Sequence, residues 1–195
     1  MRITLCGSVI FIEAMKMLKH ELTAQGHEVQ MPPEVVRDGQ GCEIHVTEFY
    51  RLRQAESALA SDGEVGAPTS PNAWIWERKA QAMRTHFEKV AWAELVIVTN
   101  YTKNGVRDYI GANTLMEMGL AFHLRIPIIL LNTVPDIPAR EEILGMRPYV
   151  LGTGHAGSLK DMVAVVGAMK QTKGFEPEHK GPPSEGAIAR RVMGG

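Results

Sequence analysis

Cysteine is scarce here. Cys6 and Cys42 are the only two among 195 residues, too few for the disulfide framework that staples small secreted domains. Cys6 falls inside an apolar stretch, where a small buried thiol is the common case, and this usage fits a reducing compartment. Long apolar runs are missing too. No stretch approaches the ~18 residues needed to cross a bilayer, and the strand-like start Arg2-Ile-Thr-Leu-Cys6 has no basic leader ahead of it. Neither secretion nor membrane insertion is expected, and the expected location is cytoplasmic. Nor does charge of one sign prevail: a formal net charge of -1, with 22% charged residues, offers no basic field to a nucleic-acid backbone and no acidic tail. The expected partner is a free small molecule. No internal repeat is present, and the glycines form neither a dinucleotide fingerprint nor a Walker loop. Ser8 does not lie in a nucleophile-elbow sequence, and Cys42 with His45 makes half of a metal-ligand spacing without a second pair. Neither a cofactor nor a metal is expected.

What is there is a βαβ pattern. Residues 94–100 and 126–132 are short, β-branched, uninterrupted apolar runs, as in strands buried on both faces, and the roughly twenty-five residues between them suit a parallel crossover. The crossover contains a polar loop, 101–110, and a helix over 111–125. The beginning repeats the pattern, with a strand at 2–6, a helix over 11–25 carrying Met15, Leu18 and Leu22 at helical spacing, and a short strand at 28–31 stopped by Pro32-Pro33. Residues 34–72 form an irregular insertion, with a turn at 38–41, a helix-like stretch over 46–60 and a Gly/Pro/Ser loop; such an insertion is mobile or part of a site, as a lid is. Helical periodicity returns over 74–92, with Ile75, Met83, Phe87 and Val90 in one stripe. A short helix around Glu141, a strand at 149–151 and a helix over 161–170 complete a domain spanning 1–171, and residues 172–195 read as a flexible tail. The order implies an α/β fold of the Rossmann or flavodoxin type, a doubly wound parallel sheet of about five strands with helices on both faces.

Within that fold, ligands bind beyond the carboxyl ends of the strands, which places Gly7, Ser8, Asn100, Tyr109, Gly111 and Asn113 along one rim. Gly7-Ser8 opens a loop into a helix, where free N–H groups and a hydroxyl can meet a phosphate or sugar, or form a tight turn. The helix after this rim is apolar almost all round from Asn113 to His123, with Glu117 its only acidic residue. A carboxylate on such a helix is not an ordinary solvated group. At about 100° per residue, Asn113 and Glu117 share a face nearly opposite the stripe of Leu115, Met118 and Phe122, so both are expected to look away from the sheet. Met116 and Leu120 flank that face, as in a pocket or a subunit interface. His86, at the edge of the Met83/Phe87 stripe, reads as a partly buried histidine or a proton donor. Trp74 and Trp76 suit packing, with base stacking as the alternative.

These residues together resemble the nucleoside 2-deoxyribosyltransferase superfamily, which includes 2'-deoxynucleoside 5'-monophosphate N-hydrolases. The resemblance covers roughly residues 1–150 and is carried by Leu5-Cys-Gly-Ser8, by Ala93-Glu-Leu-Val-Ile-Val98, and by Glu117-Met-Gly119 with Ala121. It implies that Glu117 is the nucleophile in retaining cleavage of an N-glycosidic bond, through a glycosyl-enzyme ester resolved by water or a second base. It also implies a site completed by a neighbouring subunit, hence a homodimer or higher homo-oligomer. The family's aspartate, seven residues ahead of the alanine-acid pair, is replaced by His86, a residue able to donate a proton near neutral pH. Val9-Ile-Phe11 stands where the monophosphate hydrolases carry glycine and arginine. The function expected is therefore cleavage or transfer on a (deoxy)nucleoside or nucleotide. The alternatives are a non-catalytic nucleotide sensor and an NAD glycohydrolase.

Overall fold

The computed structural model describes residues 1–59 and 72–152, together with Asp161, Val163, Ala164, Gly167 and Ala168. Most of the loop expected over 61–72, most of the helix expected over 161–170 and the tail expected over 172–195 lie outside the described residues. The strands are β1 (Arg2–Gly7), β2 (Glu28–Gln30), β3 (Val35–Arg37), β4 (Glu43–His45), β5 (Leu95–Thr99), β6 (Ile128–Leu130) and β7 (Tyr149–Val150). The helices are α1 (Ile12–Ala24), preceded by a 3-10 turn at Val9–Phe11, then α2 (Val46–Leu59), α3 (Ala73–Trp92), α4 (Ala112–His123) and α5 (Arg140–Gly145).

Five strands form one parallel sheet in the order β2-β1-β5-β6-β7, the flavodoxin-like doubly wound arrangement. β1 is an interior strand, next to the central β5: Ile3 pairs with Val29 on one side and with Leu95 on the other. The chain leaves β1 toward β2 and returns to its other side with β5, so the strand order reverses at the carboxyl ends of these two strands. There Gly7 pairs with Thr99. A Cβ at Gly7 would lie 2.2 Å from Thr99 Oγ1, so the close approach of the two strand ends requires glycine.

The period of two along each strand separates two cores. Ile3, Leu5, Leu95 and Ile97 pack with Met15, Leu18 and Leu22 of α1; Cys6, Val96, Val98 and Leu130 pack with Val90 of α3, Met118 and Ala121 of α4, and Ile143 of α5. The helices thus cover both faces, as expected for strands buried on both sides. No helix among the described residues is long and apolar enough to cross a membrane.

Two expectations need correction. The described part of the supposed irregular insertion is regular: β3 and β4 form an antiparallel hairpin around the 38–41 turn, and α2 follows at once. Asp38 Oδ1 accepts from the N–H groups of Gln40 and Cys42, both at 2.9 Å, which fixes the turn. On α4 the buried residues are Thr114, Glu117, Met118 and Ala121, whereas Phe122 is 54% exposed. The helix packs on α3 as well as on the sheet, so its covered arc is wider than the stripe assigned to it and Glu117 lies inside that arc.

Candidate functional site

A cavity of about 280 Å³ opens at the strand-order reversal. Gly7 and Ser8 contribute from the end of β1, and Lys103 and Tyr109 from the loop after β5. Gly111, Asn113, Thr114 and Glu117 come from the start of α4. Lys79, Met83 and His86 come from α3, and Val36, Tyr50 and Arg53 from the hairpin and α2. Residues 35–59 therefore form one wall of the cavity, the position in which a cover over the strand ends belongs. Trp74 packs on Phe49 of that wall, with ring centroids 6.0 Å apart, a structural role for the tryptophan.

Seven of the eight residues expected at the site line this cavity: Gly7, Ser8, His86, Tyr109, Gly111, Asn113 and Glu117. Asn100 does not. It is fully buried, and its side chain donates to Thr133 O at 2.9 Å and accepts from Asn132 N at 2.8 Å, clasping the turn after β6 to the end of β5. Its polar atoms are used in holding two strand ends together, so the expectation of a ligand contact there is corrected. The nearby loop is tied down by Asp108, whose carboxylate accepts from the Thr133 hydroxyl.

Glu117 lines the cavity, 7% exposed, and its Oε2 has no hydrogen-bond partner. An unpaired buried polar atom costs roughly 1–3 kcal/mol, so it calls for an explanation. His86 Nε2 lies 3.7 Å from that oxygen, and Cys6 Sγ lies 3.5 Å from the same nitrogen. Burial raises the Glu117 carboxyl to about 7, opposed by the Cys6 thiol and the charge of Lys79. No first-turn position helps it ionise: α4 begins at Ala112, which puts Glu117 in the second turn, beyond the strongest part of the helix dipole.

His86 is also buried, at 6% exposure. Desolvation, reinforced by the charge of Lys89, lowers it to about 4, so it is a neutral imidazole at neutral pH. The His86–Glu117 approach is therefore not an ion pair, and the imidazolium that a proton donor would need does not form there. Lys79 also lines the cavity, and burial, then the neighbouring charge of Arg53, lowers it to about 8. Burial likewise drives the Cys6 thiol up, with the Glu117 charge adding to the shift, so this sulfur is protonated.

The cavity lining is also cationic and aromatic, with Tyr50, Arg53, Lys79, Lys103 and Tyr109, a feature the sequence did not announce. Lys103 is 8% exposed; its ammonium donates to Ser8 Oγ at 3.2 Å and to Tyr50 Oη at 2.9 Å, and lies 4.6 Å from the Tyr109 ring centre. The Arg53 guanidinium stands 5.3 Å from the Phe49 ring centre and 5.4 Å from that of Tyr50, with its Nε unpartnered. Among the described residues no carboxylate forms an ion pair with Arg53, Lys79 or Lys103. Arg53 and Lys103, held by rings and hydroxyls without an ion-paired carboxylate, suit an anionic ligand, whereas Lys79 feels the charge of Glu117.

Among the described residues, Cys6, His86 and Glu117 make the one group of three side chains whose donor atoms could hold a metal ion. The Cys42–His45 half-site is not extended: Cys42 is exposed, and His45 Nδ1 lies 2.7 Å from Thr47 Oγ1. No family model, no curated protein and no solved structure matches this chain.

Proposed function

We propose that this chain cleaves or transfers the N-glycosidic bond of a nucleotide or nucleoside, with Glu117 as nucleophile and Lys79 as proton donor. The observation that carries the reading is the unpaired, buried Glu117 oxygen in a cavity also lined by Arg53, Lys79 and Lys103. In the first step the Glu117 carboxylate attacks the anomeric carbon of the sugar. The carbon–nitrogen bond breaks, its electron pair goes to the departing base, and the Lys79 ammonium supplies the proton. In the second step a water, or the nitrogen of another base, attacks the same carbon from the vacated side and gives its proton to the neutral Lys79 amine. The ester bond breaks, and the Glu117 carboxylate is restored.

Arg53 and Lys103 favour a 5'-phosphorylated substrate over a free nucleoside, since a phosphate would supply the negative partner that both lack. The reading also expects a homodimer or larger homo-oligomer. Met116 and Phe122, 43% and 54% exposed on α4, are the apolar side chains that a neighbouring subunit would cover.

Intact-protein mass spectrometry after brief mixing with pooled deoxynucleosides and their 5'-monophosphates tests the chemistry. A sugar or sugar-phosphate adduct, mapped to Glu117 and missing in Glu117→Ala, is the expected result. Ligand binding by calorimetry with neither adduct nor released base would instead establish a nucleotide sensor. Release of nicotinamide from NAD, together with inertness toward deoxynucleotides, would establish an NAD glycohydrolase.

A further inference from the structure

We propose that Cys6, His86 and Glu117 form a binding site for a zinc-like divalent ion, with the open coordination position facing the cavity. This goes beyond the glycosidic reading and does not rest on it.

The geometry comes first. Cys6 Sγ and His86 Nε2 are 3.5 Å apart, His86 Nε2 and Glu117 Oε2 are 3.7 Å apart, and all three donor atoms lie within 4.8 Å of one another. Tetrahedral zinc with Zn–S of about 2.3 Å and Zn–N and Zn–O of about 2.0 Å places its ligands about 3.3–3.6 Å from one another. Two of the three separations, 3.5 and 3.7 Å, are near that spacing, and the third is within 4.8 Å.

The donor set comes second. One thiolate, one imidazole and one carboxylate select zinc-type ions over the oxygen-seeking magnesium and calcium. Three protein ligands with a fourth position open to a cavity is the form of reactive rather than purely structural zinc sites. The three come from β1, α3 and α4, which are locked together by the core, so the site exists only in the folded chain. Glu117 Oε2 adds support: it is buried without a hydrogen-bond partner at ordinary distance, and the thiol that acts on the Glu117 carboxyl, Cys6, is itself one of the three donors.

Charge sets the conditions. On binding, the Cys6 thiol loses its proton to solvent, as does whatever fraction of Glu117 is protonated, and the two anions formed neutralise the ion. The positive charges that act on the trio are Lys79 on Glu117 and Lys89 on His86; both oppose a cation. If the glycosidic reading also holds, the ion takes the lone pair that would attack the sugar, and zinc is an inhibitor of this protein rather than its cofactor.

The test is a cobalt titration of the full chain near neutral pH without substrate, so its outcome is independent of any activity. It is made in a Cys42→Ser background, which removes the exposed thiol. One equivalent of Co²⁺ is expected to give a near-ultraviolet thiolate charge-transfer band and the visible bands of a tetrahedral site, both abolished by Zn²⁺. Adding Cys6→Ser is expected to remove the charge-transfer band and to weaken zinc binding by more than the roughly 10–100-fold that loss of an outer-shell partner costs. Glu117→Gln, which keeps the side-chain volume, serves if the Cys6 variant does not fold: the charge-transfer band should persist while affinity falls. Absence of a stoichiometric complex overturns the proposal. So does a thiolate band that survives Cys6→Ser, or an affinity untouched by Glu117→Gln.

Discussion

The two faces of the central sheet are equally buried and chemically unlike. On the α1 face Ile3, Leu5, Leu95 and Ile97 pack against Met15, Leu18 and Leu22, and the buried Thr99 in the same row is satisfied, its hydroxyl donating to Cys6 O at 3.2 Å. On the α3/α4 face the same strands present Thr4 and Cys6, and the helices above bring His86 and Glu117. Thr4 is satisfied: its hydroxyl donates to Lys89 O at 2.7 Å, and the Lys89 ammonium in turn donates to Met31 O at 2.7 Å. Glu117 Oε2 has no such partner. The contrast separates polar groups that build the structure from one that weakens it, and the second kind marks a site.

Replacing Glu117 gives the largest expected effect. Glu117→Gln should lower turnover by on the order of 10³–10⁶-fold, as removal of a nucleophile does, with the fold intact by circular dichroism. Comparable rates in the variant and the parent would put Glu117 among the merely structural polar groups and dissolve the contrast.

Lys79 comes next. Loss of a positioned proton donor costs typically about 10²–10⁴-fold, and the pH profile of kcat/KM carries the distinguishing signature. With Glu117 at about 7 and Lys79 at about 8, activity should rise as Glu117 ionises and fall as Lys79 deprotonates. Lys79→Met should abolish the alkaline limb while keeping the acid one. A profile unchanged in shape would remove Lys79 from proton transfer.

The α1 face predicts the opposite behaviour. Leu5→Ala removes a fully buried side chain from the hydrophobic core and should cost about 2–5 kcal/mol in denaturant unfolding. Turnover per folded molecule should hardly change. A Leu5 variant that keeps its stability but loses activity would show that the two faces are not functionally separate.

How much of this was legible in the sequence follows from the range of the interactions. Uninterrupted apolar runs and the α1 stripe are local signals, so the sheet, its parallel connections and the buried Met15, Leu18 and Leu22 were readable. Glu117 stood out because a lone acid on an apolar helix is conspicuous. Its direction was misread because helical periodicity assumes a single packing partner, whereas α4 lies against both the sheet and α3. The hairpin was missed because its strands are largely exposed, with only Val36 and Ile44 partly buried, and so offer no apolar run. Asn100 was placed correctly at the rim, but only tertiary structure reveals that Asn132 and Thr133 occupy its polar atoms. Arg53 and Lys103 carry no local mark that separates them from ordinary surface cations. Lys79 did carry one: with Met83 and His86 it falls at the i, i+4, i+7 spacing of a single helix face, so a histidine singled out on α3 pointed to it as well.

The finest test of the contrast is the pH dependence of stability, because Glu117 and His86 push in opposite directions. The Glu117 carboxyl is raised from 4.5 to about 7. Its contribution is therefore fully present below the unfolded-chain value and is lost as pH rises through about 7. His86 is lowered from 6.5 to about 4. Its contribution is fully present above the unfolded-chain value and is lost as pH falls through about 4. Over the shared window, from 4.5 to 6.5, the two slopes oppose each other, and the contribution of this pair to the stability profile should be nearly flat. Glu117→Gln removes one of them. The variant should then gain stability with rising pH across that window, by at most about 1.4 kcal/mol per pH unit, and should exceed the parent most clearly above neutrality, where the parent alone holds a buried carboxylate charge. Parallel profiles for variant and parent, measured by urea unfolding at a series of pH values, would mean that Glu117 is solvated after all and that the α3/α4 face is no more strained than the α1 face.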